Sequence, residues 1–183
     1  MEMNSIGLVE MTSIAAGMQA ADIMLKTAQV ELLISRTICS GKYIVLIGGD
    51  VAEVQSAVDA AAHTIEYAII DTFVIPRVHA DVFPALSGHT KVNELKALGI
   101  IESFSVASLI EGADAAVKAA TVELIEIRLA MALGGKAFCT LTGEVGAVTS
   151  AVEAGAQVIS DKGLLVNKVV IPQPRPELLT EMI

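Results

Sequence analysis

The sequence predicts an α+β protein made of two copies of one small module, each an antiparallel sheet flanked by helices. Self-identity carries the first half of that expectation. A shift of 92 places Gly7 on Gly99, Glu10 on Glu102, Ser13 on Ser105, Asp22 on Asp114, Lys26 on Lys118, Val30-Glu31-Leu32 on Val122-Glu123-Leu124 and Arg36 on Arg128. After two extra residues in the second copy, Gly41-Lys42 falls on Gly135-Lys136 and Gly49 on Gly143; later still, Val74-Ile75-Pro76 falls on Val170-Ile171-Pro172. The copies join in the polar stretch Ser87–Leu98, which predicts domains at 1–92 and 93–183. The second half is the order of apolar patterns, which reads strand, helix, strand, strand, helix, strand in each copy.

The elements follow in order. Ile6–Glu10 and Gly99–Glu102 are short apolar runs compatible with strands. Ile14–Ala28 and Val106–Ala120 are Ala-rich with helical spacing, and Ser13 and Ser105 are placed to cap them. Val30–Ile34 and Tyr43–Ile47 are β-branched runs separated by Thr37–Gly41, repeated as Val122–Arg128 and Ala137–Leu141. Asp50–His63 and Glu144–Ile159 read as helices with an acidic residue at the N-terminus, where the helix dipole favours it. Gly48-Gly49 reads as a tight strand-to-helix turn, since it lacks the spacing of a phosphate-binding loop. Ala68–Ile75 and Leu164–Ile171 close the modules as strands that end at Pro76 and Pro172.

Composition limits function. Of 183 residues 54% are hydrophobic but only 3% aromatic, with no Trp, so the interior is built from Ala, Val, Ile and Leu. The longest uncharged stretch, Met11–Ala21, falls well short of the ~20 apolar residues a membrane span needs, and the N-terminal MEMNSIGLVE is acidic where a signal peptide is basic. The expectation is a cytoplasmic chain without a membrane segment. A net charge of −9 repels phosphate backbones and argues against nucleic acid. So apolar a chain needs further burial between subunits, which predicts an oligomer.

No catalytic constellation can be assembled. The three histidines, His63, His79 and His89, all lie in the first copy, away from any patterned Ser, Cys or carboxylate pair, so an enzyme is not expected. Asp22 with Lys26, and Asp114 with Lys118, are four apart on helices, the spacing of an exposed ion pair. Cys139 lies on an apolar strand position aligned with Val45 and reads as a small buried hydrophobe. Cys39 lies in the loop between two strands, followed by Ser40-Gly41, where the second copy has the longer Ala130-Met131-Ala132-Leu133-Gly134-Gly135. Two loops have diverged between sheets that have not.

The run Ile6-Gly7-Leu8-Val9-Glu10 with Ser13, Asp22-x-x-x-Lys26, Gly41-Lys42 and Gly49-Asp50-Val51-x-x-Val54 resembles the bacterial microcompartment shell domain. The second copy resembles it through Glu102, Asp114-x-x-x-Lys118, Gly135-Lys136 and Gly143-Glu144-Val145-x-x-Val148, so nearly the whole chain is covered. The resemblance is strongest to the family's tandem-domain members. It implies a non-enzymatic facet tile: a homotrimer, pseudohexameric in outline, that packs against other shell proteins in the shell of a cytoplasmic protein organelle. It implies that Lys26, Lys118, Arg77 and His79 are tile-edge residues. The second copy departs from the edge pattern, with Gln173 in place of the Arg and Arg175 in place of the His. It also implies that Ile38, Cys39, Ser40 and Gly41, alternating with Met131, Ala132, Leu133 and Gly134, line a central pore.

Three copies around a threefold axis bring three Cys39 thiolates together. A [4Fe–4S] cluster, one per trimer with Cys39 as the metal ligand, has that symmetry, as the resemblance also implies. It would carry electrons to a redox partner or an encapsulated enzyme. Three thiolates could instead take zinc, or stay unmetallated and line a pore for small molecules. A tandem small-ligand-binding regulatory protein on a similar module is the competing class.

Overall fold

The computed structural model describes residues 4–88, 90, 92, 94–130, 133–175 and 177–178. The chain forms two compact units that divide between Val78 and His79. In the first unit β1 (Ser5–Met11), α1 (Ile14–Thr27), β2 (Glu31–Ile38), β3 (Lys42–Gly49), α2 (Val51–Thr64) and β4 (Ile69–Pro76) follow in order, with one 3₁₀ turn at Glu66–Ala68. The second unit opens with α3 (Val82–Ser87) and repeats the order as β5 (Ala97–Ser103), α4 (Val106–Ala119), β6 (Glu123–Leu129), β7 (Ala137–Thr142), α5 (Val145–Asp161) and β8 (Leu165–Pro172).

Each sheet is antiparallel, in the orders β2-β3-β1-β4 and β6-β7-β5-β8. The first strand of each module is therefore central. In β1 every residue from Ser5 to Met11 is buried, which explains an apolar run with no alternation. Helices α1 and α2 cover one face, packing Ala16, Ala20, Met24, Val54, Ala57, Val58 and Ala61 onto Val9, Tyr43, Val45 and Ile47. Small helical residues let backbones come close. A side chain on Gly7 would meet Val54 and Val58 at 2.6 Å, and one on its counterpart Gly99 would meet Leu141 and Val152 at 2.7 Å.

The serine caps form as expected: Ser13 accepts the Ala16 N–H at 3.3 Å and Ser105 the Ser108 N–H at 3.2 Å. Two differences from the sequence expectation have physical reasons. Strand β2 runs on to Ile38, because Thr37 and Ile38 pair with Tyr43 and Lys42, leaving only Cys39–Gly41 as the loop. Gly48 and Gly49 are the buried last residues of β3 rather than a turn, paired with Ile6 and Ser5. Asp50 and Glu144 head α2 and α5 as expected; Asp50 also accepts the Ala52 N–H at 3.0 Å, whereas Glu144 makes no side-chain cap bond. The segment after Val78, to which the sequence pattern assigns no element, forms α3, which buries Val82 and Ala85, packs on β6 and α4, and is closed by Gly88 at φ +66.

Helices α4 and α5 cross at two glycines. A Cβ on Gly155 would lie 2.5 Å from the Gly112 carbonyl oxygen, so the helices themselves would have to separate. Gly155→Ala is expected to lower stability by about 1–3 kcal/mol through overpacking, despite the better helix propensity of Ala. Gly146→Ala, on the same helix with open space around it, is expected to hold or raise stability. Urea midpoints of the two variants provide the comparison.

Candidate functional site

The β2–β3 hairpin carries Cys39. Ile38 is buried, Cys39 is half-buried, and Ser40 and Gly41 are exposed. The Cys39–Ser40 peptide is cis. Gly41 closes the turn at φ +79, with nothing within 4 Å of where a Cβ would sit, so the loop combines one thiol with two residues of minimal bulk. In the second unit the matching loop takes φ +40 at Ala130, +62 at Gly134 and +89 at Gly135, and Lys136 N–H bonds the Leu133 carbonyl at 3.2 Å. Met131 and Ala132, two of the expected pore residues, lie outside the described residues.

An ion pair not foreseen from sequence anchors the base of the hairpin. Lys42 Nζ donates to Glu10 Oε1 at 2.8 Å, and the Glu10 side chain is 2% exposed. The pair recurs as Lys136 with Glu102 at 3.0 Å, there with 32% of the carboxylate side chain exposed. The signal was present in the repeat, which keeps Glu and Lys in both copies; their contact across strands was not. Beside Lys42, the Tyr43 hydroxyl hydrogen-bonds Ser35 Oγ at 2.9 Å. Glu10 Oε2 has no hydrogen-bond partner among the described residues.

Cys139 is fully buried in β7, and burial pushes its thiol from 9.0 up to about 12, opposed by a backbone hydrogen bond from Ile101. A thiol so shifted is protonated near neutral pH, the state of a small buried hydrophobe. Among the described residues no group of three or more His, Cys, Asp or Glu converges within the chain. A site of three thiolates could therefore be completed only by symmetry.

The expected edge residues fall into two settings. Lys26 and Asp22 pair at 2.7 Å on the exposed surface of α1. Lys118 and Asp114 pair at 2.5 Å, but Asp114 is buried, and its other oxygen accepts the His79 backbone N–H at 2.8 Å. The second pair is thus not the exposed helical pair its spacing suggests. His79 and Lys118 line one surface depression with Val117 and Val122. Arg77 is exposed at φ +52, and Gln173, its counterpart, takes φ +48. His63 is exposed near the end of α2, and His89 lies outside the described residues. The β3–α2 junction holds no phosphate cradle, because the Asp50 carboxylate occupies the start of α2.

Comparison with known proteins follows the same division. The BMC domain profile matches residues 5–78 and 97–174. The bacterial microcompartment shell protein PduT of Citrobacter freundii is 43% identical over 98% of this chain and 97% of its own length. The bacterial microcompartment shell protein PduA of the same organism is 38% identical over 45% of this chain and 90% of its own. The crystal structure of a microcompartment protein from Desulfitobacterium hafniense DCB superposes with a TM-score of 0.91 at 54% identity, covering 98% of this chain and 99% of that one.

The hairpin-base pairs generate a graded expectation. Lys42→Ala leaves Glu10 buried and uncompensated and should cost about 3 kcal/mol, whereas Lys136→Ala should cost under about 1 kcal/mol because water reaches Glu102. Chemical denaturation of the two variants, with Lys42→Ala/Glu10→Leu as a partial rescue, is the check.

Proposed function

The chain belongs to the BMC domain family, with two domains in tandem, and is a structural protein of a bacterial microcompartment shell; from that premise we propose that three copies form one pseudohexameric tile whose central loops hold a [4Fe–4S] cluster. The observation that carries the reading is the asymmetry of the two hairpin loops. Sheets and ion pairs repeat, yet only the first loop bears a thiol, beside Ser40 and an unobstructed Gly41. One such thiol per chain becomes three on a threefold axis.

The residues present suit that group. Cys39 would supply one thiolate per chain, and the small Ser40 and Gly41 leave room for backbone N–H groups to approach sulfur and tune its potential. The buried, neutral Cys139 would not compete. When bound, such a cluster supplies one-electron transfer, which at a tile centre means passage of electrons across the shell toward a redox or encapsulated partner. The chain's own part is to hold the thiolate on a short, pinned hairpin beside the buried, apolar Ile38.

The tile's outer contacts are assigned to Lys26, Lys118, Arg77 and His79. Lys26 is exposed with only a surface carboxylate beside it, an arrangement worth little to folding and free to serve another tile. The tile would sit in the shell within the cell, edge to edge with other shell proteins.

Anaerobic reconstitution tests the centre. About one cluster per three chains is expected, with broad absorbance near ~400 nm; Cys39→Ser should lose the iron and the signal, and Cys139→Ser should keep both. Bound zinc, or a metal-free pore under these conditions, would refute the cluster while leaving the shell role standing.

Edge assignment has a separate check. Lys26→Asp, at the fully surface pair, should remain a folded trimer in light scattering while losing extended sheets in electron microscopy. Sheets of wild-type extent would overturn it.

A further inference from the structure

The first hairpin is the cationic part of an acidic chain. Between Glu31 and Asp50 there is no Asp or Glu, although the chain as a whole carries a net charge of −9. Arg36 and Lys42 stand within that stretch, and Lys42 is matched by buried Glu10 at 2.8 Å. Arg36 is left over. It is exposed on β2, three residues before Cys39, and makes no ion pair among the described residues.

Other cations are answered inside the chain. Among the described residues every Lys and Arg lies within ion-pair distance of a carboxylate except Arg36 and Arg77, and Arg77 already belongs to the proposed tile edge. The second module shows what an internal answer at this position looks like. Arg128, the counterpart of Arg36, pairs with Glu126 at 2.9 Å and lies over the Phe138 ring at 5.6 Å. The first module has Ile34 and Ile44 in those two places. A guanidinium with neither partner adds little to folding, and its planar fork fits a carboxylate that arrives from outside.

We propose that Arg36 is a docking contact for an acidic one-electron carrier protein, whose surface carboxylates meet the guanidinium beside the Cys39 hairpin. This deepens the cluster reading and rests on it, because the class of partner follows from the electron transfer assigned to Cys39. Spacing agrees. Three residues of strand put Arg36 about 10 Å from Cys39, so a protein seated on Arg36 reaches the hairpin tip. Threefold symmetry presents three such cations around one centre. Encounters between redox proteins bury little surface, and charge complementarity sets their on-rate and orientation more than their affinity. A carrier rich in carboxylates is repelled by the rest of this acidic chain and accepted at Arg36, which selects where it lands.

The test uses the full chain as purified with two probe carriers, an acidic plant-type [2Fe–2S] ferredoxin and a basic cytochrome c. In surface plasmon resonance the ferredoxin should associate with wild type at ~50 mM salt and lose on the order of tenfold in on-rate by ~500 mM. Arg36→Glu should lower that on-rate by about tenfold, while Arg77→Glu should stay within about twofold of wild type. Cytochrome c, drawn to the acidic surface elsewhere, should bind Arg36→Glu at least as well as wild type. Ferredoxin that ignores wild type, an on-rate unchanged in Arg36→Glu, an equal fall in Arg77→Glu, or an equal loss of both carriers overturns the proposal. So does an Arg36→Glu protein that is no longer trimeric in light scattering, because the guanidinium then serves a contact between copies. Iron analysis of the same samples reads the cluster separately: docking to a protein that takes up no iron overturns the cluster and leaves the contact, and iron without docking does the reverse.

Discussion

Close approach of backbones, obtained by leaving side chains out, is the constraint on which the rest of this structure depends. With 3% aromatic residues and no Trp, the chain cannot fill a thick interior. It brings layers together at Gly7 and Gly99 under the helices, and at Gly112 and Gly155 between them. Packing density then comes from Ala, Val and Ile at short range rather than from large rings. Because β1 and β5 are central, β1 buried throughout and β5 at all but Ile100 and Glu102, the outer strands β2 and β6 are free to differ in what covers them.

That freedom is where the two modules part. Their sheets superimpose in register and connectivity, and their hairpin bases carry the same Glu–Lys pair, but one pair is sealed from water and the other is not. The sealed pair lies under the loop that bears Cys39. A carboxylate in low dielectric, with one oxygen lacking a partner among the described residues, depends on its lysine and so ties the hairpin base to β1. Divergence at the loop tip has thus been accommodated on a base that did not change.

Much of the fold was legible because it is local. A serine three residues ahead of a helical N–H, a proline at the end of a strand and an acidic residue at a helix start all act within a few positions, and Ser13, Ser105, Asp50, Pro76 and Pro172 sit where their chemistry requires. The pairing of Glu10 with Lys42 was not legible, since the partners are 32 residues apart and meet only through strand register. Asp114 looked like half of a surface pair because its real environment includes the His79 N–H from 35 residues away. Helix α3 was hidden by its six residues and its internal proline, too short for periodicity to register. Of the site, the thiol and its small neighbours could be read directly; the contact that positions them could not.

The covalent continuity of β4 into α3 has a consequence for mass action. A cap tethered to its seat by a few residues sees an effective concentration that dilution cannot change. Fusion acts on the two modules in the same way: they share one chain, so their ratio is fixed at one to one and their local concentration does not fall when the protein is diluted.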